Sequence, residues 1–243
     1  MATRLRLKIR DERGRERLTP ALVEHLMSAL TEARGAGIVT LESDGEVFCD
    51  GMDLGGLDGR DVDAAAALHR FAELLDAVEG TPRPVVALVH GAARGGGVGL
   101  AAAADVVLAT PAATFGLPEV LFGLIPAVVF PVLARRVGHA RARRLALSAS
   151  TLTAHEARAI GLVDEVADDL EVALGVHARR FDRLDRRALA GVKSIAAAWA
   201  SGSGGYRRDA VARFGELLAS PETRDRIGRF LAGETPWPDG DTS

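Results

Sequence analysis

The chain has 243 residues, 48% of them hydrophobic, which is enough for one large domain or a domain with an appendage. A net charge of −3, with no basic run interleaved with aromatics, excludes a nucleic-acid binder. One cysteine, Cys49, excludes an internal disulfide and a zinc set, and no apolar run is long enough to span a membrane.

Leu5 to Ile9 alternates apolar and polar residues, which predicts a half-buried strand after a charged opening without a signal-peptide core. Thr19-Pro20 starts a helix, with Thr as N-cap and Pro at the first helical position. Leu22, Val23, Leu26, Ala29 and Leu30 recur at helical spacing on one face of it. Ile38 to Leu41 reads as the next strand. Val47 to Leu54 and a Gly/Asp-rich loop, Gly55 to Gly59, follow. Asp61 or Asp63 then caps a helix to about Val78, which Thr81-Pro-Arg-Pro84 ends. Val85 to Val89 is apolar and β-branched enough for a buried strand. The chain breaks on glycines from Gly91 to Gly99 and resumes as a small-residue helix, Leu100 to Ala104.

Val106 to Ala109 and Thr114 to Gly116 read as strands, and Val128 to Val137 and Ala140 to Leu147 as helices. Thr153 with Glu156 forms a capping box for Ala154 to Ile160, which Gly161 ends. Leu162 to Val166 is a last short strand. Beyond Asp168 the pattern is helical: Leu170 to Phe181, Ala188 to Ala200, Arg207 to Ala219 and Glu222 to Leu231, with a Gly/Ser linker at 201–205. The expectation is an α/β fold with largely parallel sheets over 1–167, followed by a helical region over 168–243. The arginines at 141, 143, 144, 179 and 180 read as solvated helix faces. A cytoplasmic protein is expected.

The glycine run carries the first chemical hint. Strand, glycine turn and helix direct unpaired N–H groups out of a helix N-terminus, where negative charge is favoured. The run does not fit a nucleotide site. Leu100 stands where G-x-G-x-x-G needs its last glycine, and no Gly-Lys-Ser/Thr follows. Glu119 is either a surface residue in a Pro-flanked loop or a carboxyl with a raised pKa among Phe115, Leu117, Val120 and Phe122. His90 reads as a hydrogen-bonded core residue and Cys49 as a packed hydrophobe. Trp199, Trp237 and Phe230 read as packing residues against a neighbouring subunit.

Phe48-Cys-Asp-Gly-Met-Asp-Leu54, His90-Gly-Ala-Ala-Arg-Gly-Gly-Gly-Val-Gly-Leu100 and Phe115-Gly-Leu-Pro-Glu-Val-Leu-Phe-Gly-Leu-Ile-Pro126 together resemble the crotonase (enoyl-CoA hydratase/isomerase) superfamily. The resemblance implies a spiral of ββα units, a helical C-terminal trimerisation region, and a homotrimer or hexamer. It implies a thioester enolate held by the backbone N–H groups of Met52 and Gly96, with Glu119 as the proton-transferring carboxylate. Asp50, Gly51, Asp53, Gly95, Arg94 and Phe122 fall on substrate-binding positions. Two-glutamate hydratases have their other carboxylate at the position of Gly99, so this chain lacks it. Finer resemblance, in the 48–54 stretch, in Phe122 to Gly138 and in the tail from Ser220 to Pro238, is to the polyketide β-branching dehydratases.

The expectation is dehydration of a 3-hydroxy-3-methylglutaryl-type thioester on an acyl carrier protein to the 3-methylglutaconyl thioester. No cofactor or metal is expected beyond the pantetheine or CoA carrying the substrate. Alternatives are a CoA-dependent enoyl isomerase or hydratase of acyl degradation, and an idle carrier-binding scaffold. Arg94 and Arg83 are candidates for holding a distal carboxylate.

Overall fold

The computed structural model describes residues 4–32, 37–53, 64–184, 186–200, 211–212, 215–216 and 218–234. Its first half runs β1 (Arg4–Lys8), α1 (Pro20–Glu32), β2 (Ile38–Glu42), α2 (Ala64–Gly80), β3 (Val85–Val89), β4 (Ala92–Arg94), α3 (Gly96–Ala103), β5 (Val106–Ala109) and β6 (Thr114–Gly116). A 3-10 turn (Glu119–Phe122) follows, then α4 (Val129–Val137), α5 (His139–Ser148), β7 (Thr151–Thr153), α6 (Ala154–Ala159), β8 (Glu165–Val166), α7 (Leu170–Phe181), α8 (Arg186–Ala200) and α9 (Pro221–Leu231).

Five strands form an all-parallel sheet in the order β1-β2-β3-β5-β8. Both faces are covered, which is why every residue of β2 and β3 is buried and β3 is apolar throughout rather than alternating. In β3, Val85, Ala87 and Val89 enter the main core with α1 to α4. Val86 and Leu88 face a second cluster with Ala173, Leu174 and Ala178 of α7. The helices after Val166 thus pack back onto the body.

The second sheet is small, in the order β4-β6-β7, with β4 and β6 parallel and β7 antiparallel. Two of its strands, β4 and β7, depart from the sequence expectation. β4 lies inside the run read as a glycine turn. Ala92-Ala93-Arg94 has little strand preference of its own; it is extended because neighbours on both sides pair with it. The Phe48 and Cys49 amides donate to Ala92 O at 3.0 and 3.1 Å, and the Arg94 amide donates to Cys49 O at 2.9 Å. β6 pairs with its other edge. The last strand shortens to Glu165–Val166.

The caps of α1 and α6 follow the sequence, whereas α3 begins at Gly96, four residues before the expected Leu100, because the glycines 96, 97 and 99 are themselves helical. The Leu22 amide donates to Thr19 Oγ1 at 3.2 Å at the head of α1, and Thr153 and Glu156 complete their capping box. The loop at 55–59, the cap at Asp61 or Asp63, the linker at 201–205 and Trp237 lie outside the described residues, as does the side chain of Trp199.

Candidate active site

The site is assembled where three segments meet. The 48–52 segment runs parallel to β4, with Cys49 bridged to Ala93 and Met52 bridged to Leu18. The approach is very close. A Cβ on Gly97 would lie 2.5 Å from Cys49 O, so no other residue fits there. Gly51 has a φ of +86°, and a Cβ on it would sit 3.0 Å from Arg94 O and 3.5 Å from the Gly96 nitrogen. Residues 51 and 96 are therefore in contact.

β4 continues into α3 through Gly95, whose amide donates to Gly116 O at 2.9 Å. Gly96 is the first residue of α3, so its amide has no carbonyl one turn back within the helix. Around Met52, the Leu18 amide donates to Gly51 O at 2.9 Å and the Asp53 amide to Leu18 O at 3.2 Å. Met52's own amide takes no part in that bridge. Among the described residues, neither the Met52 nor the Gly96 amide has an acceptor. Both residues line one cavity of about 490 Å³.

Glu119 reaches the same cavity from the other side. β6 lies against β4 with Arg94 opposite Gly116, so the chain three residues further on arrives beside Gly95. A Cβ on Gly95 would be 3.1 Å from Glu119 Oε1. Glu119 Oε2 is shut off from solvent and has no hydrogen-bond partner among the described residues. Burial pushes this carboxyl up to about 7, against a smaller lowering from its own backbone N–H.

Gly99 lies on α3, one turn beyond Gly95 and outside the cavity wall. A Cβ there would stand 3.1 Å from Val129 Cγ2 and 3.5 Å from both Leu75 Cδ1 and Phe71 Cζ. Apolar side chains occupy the space a second carboxylate needs.

Asp50, Gly51, Arg94, Gly95 and Phe122 also line the cavity, whereas Asp53 does not. Asp53 turns to Arg15, whose Nη2 donates to Oδ2 at 3.0 Å, and Arg15 also pairs with buried Asp11 at 2.9 Å. Burial works to raise the Asp11 carboxyl. The Arg15 and Arg13 amides and the Arg15 guanidinium overcome it and hold Asp11 below the usual carboxylate range. Arg17 closes the chain of charges, at 3.7 Å from Asp53 and 3.4 Å from Asp50. Arg94 Nη1 meets Asp50 Oδ1 at 2.5 Å.

Arg83 and His90 are not in the wall. His90 Nε2 is 2.8 Å from Gly45 O, a structural hydrogen bond. The Cys49 thiol is pushed up to about 12, by burial first, and is not a nucleophile at neutral pH.

Two groups of wall residues escaped the sequence reading. Arg17, just before the Thr19 cap, belongs to no motif that the sequence singles out. Phe230 and Leu231 belong to α9, more than a hundred residues from Glu119. Phe230, read as an intersubunit packing residue, packs within the chain: its ring meets Phe122 edge-on with centroids 4.8 Å apart. Tail and turn share no local pattern, so only the resemblance of the tail to a dehydratase branch hinted at a role for it.

The family description "Enoyl-CoA hydratase/isomerase" matches residues 5–203. The chain belongs to the enoyl-CoA hydratase/isomerase family. It is 28% identical to the bacillaene synthase dehydratase PksH of Bacillus subtilis over 228 residues, covering 91% of this chain and 88% of that one. It is 36% identical over 225 residues to a probable enoyl-CoA hydratase of Rhodobacter capsulatus, covering 90% and 88%. The crystal structure of B. subtilis pksH matches with a TM-score of 0.83 at 27% identity, over 91% of this chain and 90% of that one. An enoyl-CoA hydratase from Mycobacterium avium matches with a TM-score of 0.83 at 28% identity, over 95% and 92%. The crotonase fold expected from the motifs is therefore the fold of this enzyme. Among the described residues no helix is long and apolar enough to cross a membrane.

Proposed function

We propose that this enzyme dehydrates a 3-hydroxy-3-methylglutaryl-type thioester, carried on an acyl carrier protein, to the 3-methylglutaconyl thioester. The observation that carries this reading is that, among the described residues, Glu119 is the one enclosed carboxyl in the cavity wall, while the other family carboxylate position, Gly99, is hemmed in by Val129, Leu75 and Phe71. Addition of water to an unactivated enoyl thioester is served by two carboxylates. Removal of a tertiary β-hydroxyl from an enolate needs one proton taken and one returned. The likeness to PksH points the same way.

In this mechanism the Met52 and Gly96 amides receive the thioester oxygen. Donors fixed in a dry site and aimed at a developing oxyanion contribute about 3 kcal/mol each. Glu119, ionised, removes the α-proton. The enolate then collapses to the α,β double bond and expels the β-hydroxyl. The proton Glu119 took leaves with it as water, so the carboxyl ends each cycle as it began.

The test is intact-protein mass spectrometry of a 3-hydroxy-3-methylglutaryl carrier protein after incubation, watching for loss of one water, beside the matching CoA thioester. Water loss on the carrier supports the reading; exclusive turnover of the CoA form overturns it. The second reading is an enoyl-CoA hydratase or isomerase. It is favoured by the 36% identical relative and by the apolar depth of the cavity, and turnover of simple enoyl-CoA substrates would establish it.

A further inference from the structure

We propose that Arg17 and Arg94, on either side of Asp50, form the subsite for the distal carboxylate of the acyl group, and that Asp50 is the counterion this carboxylate displaces. The inference rests on a carboxylated acyl group being the cargo.

The cavity wall is mostly apolar, with Leu68, Phe71, Leu124, Ile125, Val128 and Val129 among its residues. A carboxylate pressed against such a wall loses its hydration without compensation. Among the described residues, the cationic side chains in that wall are Arg17 and Arg94. Their present contacts are of a kind that exchanges readily. Arg94 is half-exposed and meets Asp50, and Arg17 is held at 3.4 Å by Asp50 and 3.7 Å by Asp53. Exposed ion pairs of this sort are weak. A guanidinium presents a planar fork of five donors that matches a carboxylate in bidentate geometry.

Asp50 sits on a fixed segment, its amide donating to Glu16 O at 2.7 Å, two residues before Met52. Arg94 lies two residues before Gly96. The segments that present the two free amides thus also present Asp50 and Arg94, and Arg17 adjoins them through the bridge of Leu18 to Met52, so recognition of the acyl anion and of the thioester oxygen share one frame. The phosphate of a pantetheine arm is the competing anion for the same chemistry, and the test separates the two.

Binding of glutaryl-pantetheine and of its distal methyl ester is measured by calorimetry. Neither carries a phosphate or a β-hydroxyl, so neither can be dehydrated. The wild-type protein is expected to prefer the free acid. R94M and R17M should weaken binding of the acid by about tenfold to a hundredfold, the range for charged hydrogen bonds, and leave the ester within a few fold. R94K should recover part of the loss. D50N should tighten the acid, a direction that damage to the fold does not produce.

Equal wild-type binding of acid and ester, or an unchanged preference in both arginine variants, overturns the proposal. So does weakening confined to glutaryl-phosphopantetheine, which would assign the arginines to the arm's phosphate. Loss of water from the carrier-bound substrate is read separately. If dehydration fails while the acid preference and its arginine dependence hold, the reaction assignment falls and the subsite stands.

Discussion

At the scale of single residues, the proposed chemistry concentrates in Glu119. Its carboxyl, raised to about 7, is half-ionised near neutral pH, the condition under which one group serves as base and then as acid. E119Q should lower turnover by at least about a hundredfold, as loss of general acid–base catalysis does, with thioester binding retained. A pH profile of kcat/KM should rise through about 7 as the free carboxyl ionises.

Stability has the opposite sign. An unfolded glutamate ionises near 4.5, so between 4.5 and about 7 the folded state holds a proton that the unfolded state has released. Stability then falls as pH rises through this window. Above it the penalty is complete, at up to about 3 kcal/mol. E119Q removes that penalty, so urea unfolding should find the variant more stable than wild type at pH 8 and little changed at pH 4. At Gly99 the space is decisive. G99E should lower the melting temperature and add no hydration of enoyl-CoA, because its carboxylate enters apolar packing around Val129.

At the scale of elements, two devices hold the site. The first is the contact of α9 with the 3-10 turn, through Phe230 on Phe122 and Thr223 Oγ1 donating to Gly123 O at 3.5 Å. F230A removes an edge-on aromatic pair worth about 1 kcal/mol and opens the wall beside Glu119. Steady-state kinetics should show a several-fold rise in KM and a smaller fall in kcat. An unchanged KM would remove α9 from substrate binding. The second device is Arg15, which ties the 11–15 turn to the segment before the 54–63 stretch through Asp11 and Asp53. R15M leaves buried Asp11 without its guanidinium and should destabilise by about 1–3 kcal/mol in urea unfolding.

At the scale of the whole molecule, the parallel sheet is a wall with helices on both faces, and charges pin the outer helices to it. Lys193 of α8 is almost fully buried, and its Nζ meets Asp105 Oδ2 at 2.5 Å, while Asp105 also accepts from the Val85 amide at 2.7 Å. This pair joins the helical region to the start of the central strand, away from the cavity. K193M should lower the melting temperature by roughly 3–8 °C for a chain of this size while leaving kcat near wild type. A kcat loss as large as that of E119Q would mean that this contact reaches the chemistry.

Much of this was legible in the residues. The apolar run from Val85 to Val89, the capping signals at Thr19 and Thr153, and the helical spacing of α1 are local features that need no partner to be recognised. The positions of Met52, Gly96 and Glu119 came from motifs whose glycines are required by backbone approach. What stayed hidden was set by contacts distant in sequence. β4 is a strand only because the 48–49 segment and β6 flank it, and Arg17 joins Arg94 only because both reach Asp50. Phe230 enters the cavity wall because α9 packs on the turn of Glu119, and the raised carboxyl exists only once that turn is buried. Local spacing and caps determined the elements and the motifs. Enclosure, which sets pKa and the walls of the cavity, was decided by tertiary packing, because desolvation depends on every segment that closes over a group.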